Sequence, residues 1–177
     1  MGEATNGELV EIPPLAPPFE GGDNASEYVM NVNDLMSFHP HCCTPETNLR
    51  DAAQMMCDCD CGALPVVEYG DREKPVGIIT DRDIACRAVA KGKDPVKTTV
   101  GDCMSMHLST INQDASIEDC CNAMERSKIR RMLVVNAKGQ LCGIVSQADV
   151  ALRMAEDQAA ELVREVSRPT EEPSLVG

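Results

Sequence analysis

A nine-residue string recurs 66 positions after its first appearance, and a chain carrying such an echo is constrained to fold as two equivalent halves. Val76-Gly77-Ile78-Ile79-Thr80-Asp81-Arg82-Asp83-Ile84 returns as Cys142-Gly143-Ile144-Val145-Ser146-Gln147-Ala148-Asp149-Val150. Each copy is an apolar run ending in a hydroxyl residue, with an Asp three places on. Upstream the echo continues at an offset of 68: Asp34-Leu35-Met36-Ser37 matches Asp102-Cys103-Met104-Ser105, and Leu64-Pro65-Val66-Val67 matches Met132-Leu133-Val134-Val135. The change from 68 to 66 places two extra residues in the first copy, in a turn over 69–75, where an insertion costs little. Any binding site built by one copy should occur in the other.

Within the first unit, Leu49, Ala52, Ala53 and Met56 recur at helical spacing and predict an amphipathic helix over 47–58. Strands are expected at 63–68 and 76–80, then a helix from Asp81 to about Ala90 closed by Gly92. In the second unit Ile117, Cys120, Cys121 and Met124 line a helix begun by Ser116. Strands follow at 131–136 and 140–146, and a last helix starts at Gln147 and reaches as far as Val166. With a short extended lead-in before each helix, the fold class is α/β (α+β). Two β-α-β-β-α units stand in pseudo-two-fold tandem, sheets packed together and helices outside, sharing one aliphatic core. The expected division is a Pro-rich acidic segment over 1–28, units at 29–95 and 96–156, and a helical extension with an acidic tail over 157–177.

With two Tyr, two Phe and no Trp, that core has to be aliphatic and Met-rich. Met55, Met56, Met104, Met106, Met124, Met132 and Met154 are its expected filler, and Cys86, Cys120 and Cys121 are placed on core-facing helix sides. A formal charge of −13 argues against a nucleic-acid backbone as partner, since such binding neutralises phosphates with Lys and Arg. It leaves room for a small nucleotide, which needs only a local cationic spot. No apolar run approaches the length of a membrane span, and the N-terminus lacks the basic and apolar regions of an export signal. A cytoplasmic location follows as the expectation, with ten free Cys in a reducing compartment.

Two Gly-apolar-apolar-Ser/Thr-x-x-Asp strings, two Asp-x-Met-Ser openings and the Leu-Pro-Val-Val strand resemble a tandem pair of CBS (cystathionine beta-synthase) domains, a Bateman module, over residues 29–156. The resemblance implies a regulatory, non-catalytic protein, and clefts between the units that bind an adenosine-containing ligand such as AMP, ADP or ATP. It also implies pairing into a homodimer and an output passed to an unidentified client protein. No cofactor is required. By the same resemblance Thr80 and Ser146 are the phosphate-side hydroxyls, and Asp83 and Asp149 the ribose acceptors. Cys42-Cys43 and Thr110-Ile111 frame the adenine. Arg130 and Arg131 open the first strand of unit two and would meet phosphate there. Unit one has Gly62-Ala63 at that point, so the two clefts should bind unequally.

Other readings stay open beside this one. Ser/Thr-x-x-Asp is also a helix-capping pattern, and Arg126, Lys128, Arg130 and Arg131 also suit a solvated face. Cys57, Cys59 and Cys61 suit packing, or a thiol- or metal-responsive switch, although Cys-x-Cys is not the spacing of a structural zinc knuckle. An interaction scaffold that keeps the fold without a nucleotide is the remaining alternative. The His residues 39, 41 and 107 fall in the lead-ins, and no nucleophile–base pair or phosphate-binding loop of the Walker type is present.

Overall fold

The structure, a computed structural model, describes residues 30–68, 70–152 and 156–168. The expected Pro-rich segment over 1–28 and the tail beyond Arg168 lie outside the described residues, as does Met154. The first repeat runs from a one-turn 3-10 helix at Val32–Asp34 through β1 (Ser37–Phe38), α1 (Leu49–Asp58), β2 (Ala63–Glu68), β3 (Asp71–Thr80) and α2 (Asp81–Arg87). The second runs from a matching 3-10 turn at Val100–Asp102 through β4 (Thr110–Asn112), α3 (Ile117–Ser127), β5 (Arg131–Val135), β6 (Leu141–Ser146) and α4 (Gln147–Ala151). α5 (Glu156–Ser167) follows.

The repeat is visible in how each element starts. The Asn48 side chain caps α1 by accepting from the Asp51 N–H at 2.9 Å, and Ser116 caps α3 by accepting from the Asp119 N–H at 3.1 Å. Behind these caps Leu49, Ala52 and Met56 of α1 are buried, and Cys120, Cys121 and Met124 of α3. Lys128, in the left-handed region at φ 52°, ends α3.

Three differences from the sequence expectation exceed a residue or two at an element's end. β3 begins at Asp71, not at 76. The β2–β3 register slips on either side of Val67, so Val67 faces Pro75 and Glu68 faces Asp71. The two extra residues are therefore absorbed as bulged ladder, where an unpaired residue bends the strand without ending it. α2 stops at Arg87; the chain tightens into a 3-10 turn at Val89–Lys91 and leaves through Gly92 at φ 65°. Beyond Gln147 the structure has two helices, α4 and α5, flanking undescribed residues 153–155.

The lead-ins are exchanged between the units. β1, from the first lead-in, pairs antiparallel with β6 of the second unit, Ser37 opposite Ile144 and Phe38 opposite Gly143, giving a sheet of order β1-β6-β5-β4. Reciprocally, Ser105 of the second lead-in exchanges backbone hydrogen bonds with Ile78 of β3, at 2.9 and 3.0 Å. This crossing explains the glycine of each repeated string. A Cβ on Gly77 would stand 2.7 Å from Met104 Sδ and 3.1 Å from the Ser105 carbonyl. On Gly143 it would stand 2.5 Å from Met36 Sδ and 3.0 Å from the Ser37 carbonyl.

Buried side chains segregate into two cores and not one. Leu49, Ala52, Met56, Leu64, Val66 and Ile79 pack with Val100 and Cys103 of the second lead-in. Cys120, Met124, Met132, Val134, Val145 and Val150 pack with Val32 and Met36 of the first, and Leu162 and Val166 of α5 close that core. Each hairpin packs under its own helices, the lead-ins carry apolar side chains into the opposite core, and β3 and β6 meet between the two. Two expected core residues are outside. Cys86 is exposed because it lies more than half a turn round α2 from Ile84, which packs on the core. Met106, in the lead-in, is 73% exposed.

Candidate functional site

Each repeated string delivers its hydroxyl to the end of a strand and its Asp to the first turn of the next helix, and the two side chains close on one another. In the first copy Asp83 Oδ2 accepts from the Thr80 N–H at 3.0 Å and the Thr80 hydroxyl at 2.7 Å, while Thr80 Oγ1 accepts from the Asp83 N–H at 3.1 Å. In the second, Asp149 Oδ2 accepts from the Ser146 N–H at 2.8 Å and hydroxyl at 2.7 Å, and Ser146 Oγ accepts from the Asp149 N–H at 3.2 Å. Both are capping boxes. The helix-capping reading therefore holds at both positions. It leaves acceptor capacity on each carboxylate, which has about four lone-pair sites.

A cleft of about 650 Å³ opens beside the first of these boxes. Thr80, Asp81, Arg82 and Asp83 of the first repeat line it together with Lys128, Ile129, Arg130, Arg131 and Leu133 of the second. Ile78 and, from the second lead-in, Ser105, His107, Leu108 and Ser109 also line it, and Val166, Ser167 and Arg168 at the end of α5 complete it. The structure thus brings Arg130 and Arg131 to Thr80 and Asp83, across the repeats, whereas the sequence order groups them with Ser146 and Asp149. Those two residues do not line this cleft. Arg131 is paired with Ser146 in the β5–β6 register, yet its guanidinium reaches the first unit, where a Cβ on Gly62 would stand 3.1 Å from Nη2. Ala63 pairs with Thr80 just as Arg131 pairs with Ser146. Gly62 and Ala63 are thus the repeat equivalents of Arg130 and Arg131, and they carry no cation. The arginines line the cleft of Thr80 and Asp83.

The cleft concentrates positive charge within an acidic chain. Lys128 is held by Glu165, Nζ to Oε2 at 3.3 Å, and Arg168 by the same carboxylate, Nη2 to Oε1 at 2.8 Å. The guanidinium groups of Arg82, Arg130 and Arg131 have no acidic partner among the described residues. Unpaired guanidinium groups facing one cavity suit bidentate hydrogen bonding to phosphate or carboxylate.

Arg87 is a residue the sequence reading missed. Its Nη2 lies 3.2 Å from Asp83 Oδ1 and 3.2 Å from Ser105 Oγ, and its Nη1 donates to the carbonyls of Cys103 at 2.7 Å and Met104 at 3.0 Å. The i, i+4 spacing from Asp83 was visible; the carbonyls belong to the other repeat and were not. Its repeat mate, Arg153, lies outside the described residues.

The expected adenine-framing positions divide. Cys43 is buried in the first core, its N–H and carbonyl both used by β2. Ile111 is buried in the second. Cys42, half-buried, directs its thiol to the Pro40 carbonyl at 3.2 Å. Thr110 is exposed at the start of β4 and, like Ile111, does not line the cleft; Leu108 and Ser109 do. Burial pushes the Cys43 thiol up to about 12, Cys120 to about 12 and Cys121 to about 11. For Cys59 burial, then Cys61 and Asp58, raises the thiol, the opposite of an activated thiolate. Among the described residues no group of three or more His, Cys, Asp or Glu is gathered as a metal site requires. None of the described helices is long and apolar enough to cross a membrane.

The profile of the CBS domain matches residues 32–88 and again 100–156. Hypoxic response protein 1 of Mycobacterium tuberculosis is 34% identical over 138 residues, spanning 78% of this chain and 94% of that protein. A crystal structure of Hypoxic Response Protein I with two coordinated zinc ions aligns with a TM-score of 0.62 at 34% identity, over 71% of this chain and 100% of that one. The CBS domain-containing protein YhcV of Bacillus subtilis is 35% identical over 130 residues, 73% of this chain and 89% of its own. The structure of CBSX2 in complex with AMP aligns with a TM-score of 0.61 at 25% identity, over 69% of this chain and 94% of that one.

Proposed function

The chain belongs to the CBS-domain family as a tandem pair, and on that premise we propose that it is a non-catalytic regulatory module binding an adenine nucleotide in the first cleft. The observation that carries this reading is the meeting of Thr80 and Asp83 from one repeat with the unpaired Arg130 and Arg131 from the other. The similarity to CBSX2, solved with AMP, supports the ligand class. In this assignment the Thr80 hydroxyl faces the phosphate, joined by Arg130 and Arg131. Asp83 accepts the ribose hydroxyls, and Ile78, Leu108, Ile129 and Leu133 border the base. The position of Ser146 and Asp149 is a second, weaker site, with Cys42 and Thr110 contributing at most backbone to either.

A ligand that touches both repeats favours the arrangement that closes round it, and needs only differential affinity to do so. The module would act as a homodimer in the cytoplasm and pass that change to a client protein, its units taken as residues 29–95 and 96–156. The test is a thermal-shift and calorimetric series with AMP, ADP, ATP, S-adenosylmethionine and NAD on the wild type, Asp83→Asn, Arg131→Met and Asp149→Asn. Native-state binding at about a hundred times Kd adds about 2.7 kcal/mol of stability. An adenosine ligand is expected to stabilise the wild type and Asp149→Asn, with the effect lost in Asp83→Asn and Arg131→Met. A flat response of the wild type to every ligand at millimolar level sinks the reading and favours the scaffold.

A further inference from the structure

The end of α5 forms part of the first cleft although it lies beyond the second CBS match, which stops at residue 156. It is fixed there from beneath: Leu162 and Val166 are 1% and 5% exposed in the second core. Between Leu162 and the cleft-lining Val166, Glu165 spends its whole carboxylate on two cleft cations, Oε2 on Lys128 at 3.3 Å and Oε1 on Arg168 at 2.8 Å. The Glu165 carbonyl also accepts from Lys128 Nζ at 3.0 Å, so the lysine is held at both ends of one residue. Without Glu165 the cleft would offer Arg82, Lys128, Arg130, Arg131 and Arg168; with it, Arg82, Arg130 and Arg131 remain for a ligand.

We infer that Glu165 is a specificity-determining residue of the first cleft, which occupies Lys128 and Arg168 and so restricts the phosphate end to a nucleoside monophosphate. The inference rests on the nucleotide reading above and deepens it. A monophosphate carries a charge of about −1.5 to −2 at neutral pH, which Arg130 and Arg131 match. The further phosphates of a triphosphate need further cations, and near Lys128 and Arg168 they meet a carboxylate already in place. Like charges brought together in a partly desolvated cleft disfavour binding more than they would in water.

The test is calorimetric titration of AMP and of ATP into the wild-type chain, Glu165→Gln and the double variant Lys128→Gln/Glu165→Gln. Each is run at about 0.1 M and about 0.5 M salt, where screening lengths differ by roughly twofold. Glu165→Gln keeps the shape and removes the charge, and thermal melts verify the fold; Glu165→Ser is the second variant, with the same expectation. The wild type is expected to prefer AMP. In Glu165→Gln the ATP-to-AMP affinity ratio should rise about tenfold, with AMP itself little changed. The gain should shrink in the double variant and at high salt, which a merely structural role for Glu165 would not produce. A wild type that binds AMP, with a ratio that does not move in either Glu165 variant, or one that already prefers ATP, overturns this inference and leaves the nucleotide reading standing. Absence of binding by both nucleotides to every form overturns both.

Discussion

The guanidinium of Arg87 stands 3.2 Å from Asp83 Oδ1 while donating to the Cys103 and Met104 carbonyls of the other repeat at 2.7 and 3.0 Å. One side chain therefore ties the acid of the first cleft to the backbone that crosses from the second unit. Asp83 is consequently set by three groups: Thr80 on one oxygen, Arg87 on the other, and the helix that carries it.

Arg87→Met should lower stability by about 1–2 kcal/mol, since charge-assisted hydrogen bonds are replaced by water at a half-exposed site. Nucleotide affinity should fall with it, because Asp83 loses the partner that holds its orientation. Arg87→Lys can pair with Asp83 but cannot fork onto two carbonyls, so it should restore only part of both. Urea unfolding and calorimetry on the three proteins check this; unchanged affinity in Arg87→Met would remove Arg87 from the site.

The two capping boxes are equivalent as caps and unequal as sites. Asp83→Ala and Asp149→Ala should each cost about 1 kcal/mol of stability in urea titrations. Only Asp83→Ala should abolish tight nucleotide binding, because the repeat equivalents of Arg130 and Arg131 that would serve Asp149 are Gly62 and Ala63. Equal loss of binding in both variants would contradict the cleft asymmetry.

Alanine at Gly77 or Gly143 should destabilise by about 1–3 kcal/mol, the range for overpacking. The methionine sulfur in each contact can move, but the Ser105 or Ser37 carbonyl behind it belongs to the paired strand and cannot. Pairing the alanine with Met104→Ala or Met36→Ala should therefore recover little, measured as midpoints of urea unfolding.

Buried thiols give an alkaline limit to stability. Cys43 and Cys120 titrate near 9.0 when unfolded and at about 12 when folded, because burial disfavours the thiolate. Below the unfolded value both states hold the proton and the full stability is present. As pH rises from 9.0 toward 12, the unfolded chain releases protons that the folded chain retains, and stability falls. Each thiol should remove about 1.4 kcal/mol between roughly pH 8 and 10. Cys120→Ala, compared with the wild type at both pH values, should show a shallower loss by that amount.

Much of this protein was legible in the repeat. The strings around Thr80 and Ser146 predicted hairpin, cap and following helix, because hydrophobic periodicity and capping chemistry act over a few residues and appear in the local sequence. The helix predicted to run from Asp81 to Gly92 ends at Arg87, and Gly92, at φ 65°, closes the 3-10 turn that follows it. The length of β3 was not legible, since a bulge is decided by what the opposite strand offers.

Cleft membership was the larger gap. Arg130 and Arg131 precede Ser146 in the same repeat, yet they face Thr80 and Asp83; Arg87 reaches Cys103 and Met104; Glu165, in the extension, neutralises Lys128. Each of these is a meeting of residues from different repeats or from outside them, and no spacing along one chain encodes it.

The sequence by itself determined that there are two equivalent units, the order of strands and helices within them, and which hydroxyl and carboxylate sit at the start of the helix after each hairpin. Those features follow from local periodicity and from duplication. Only the tertiary structure decided that the lead-ins cross, that two cores form, and that the cationic cleft belongs to Thr80 and Asp83. The physical reason is that the edge of each sheet is completed by backbone from the other unit, so the partners of every cleft are chosen by packing across the pseudo-two-fold axis and not by order along the chain.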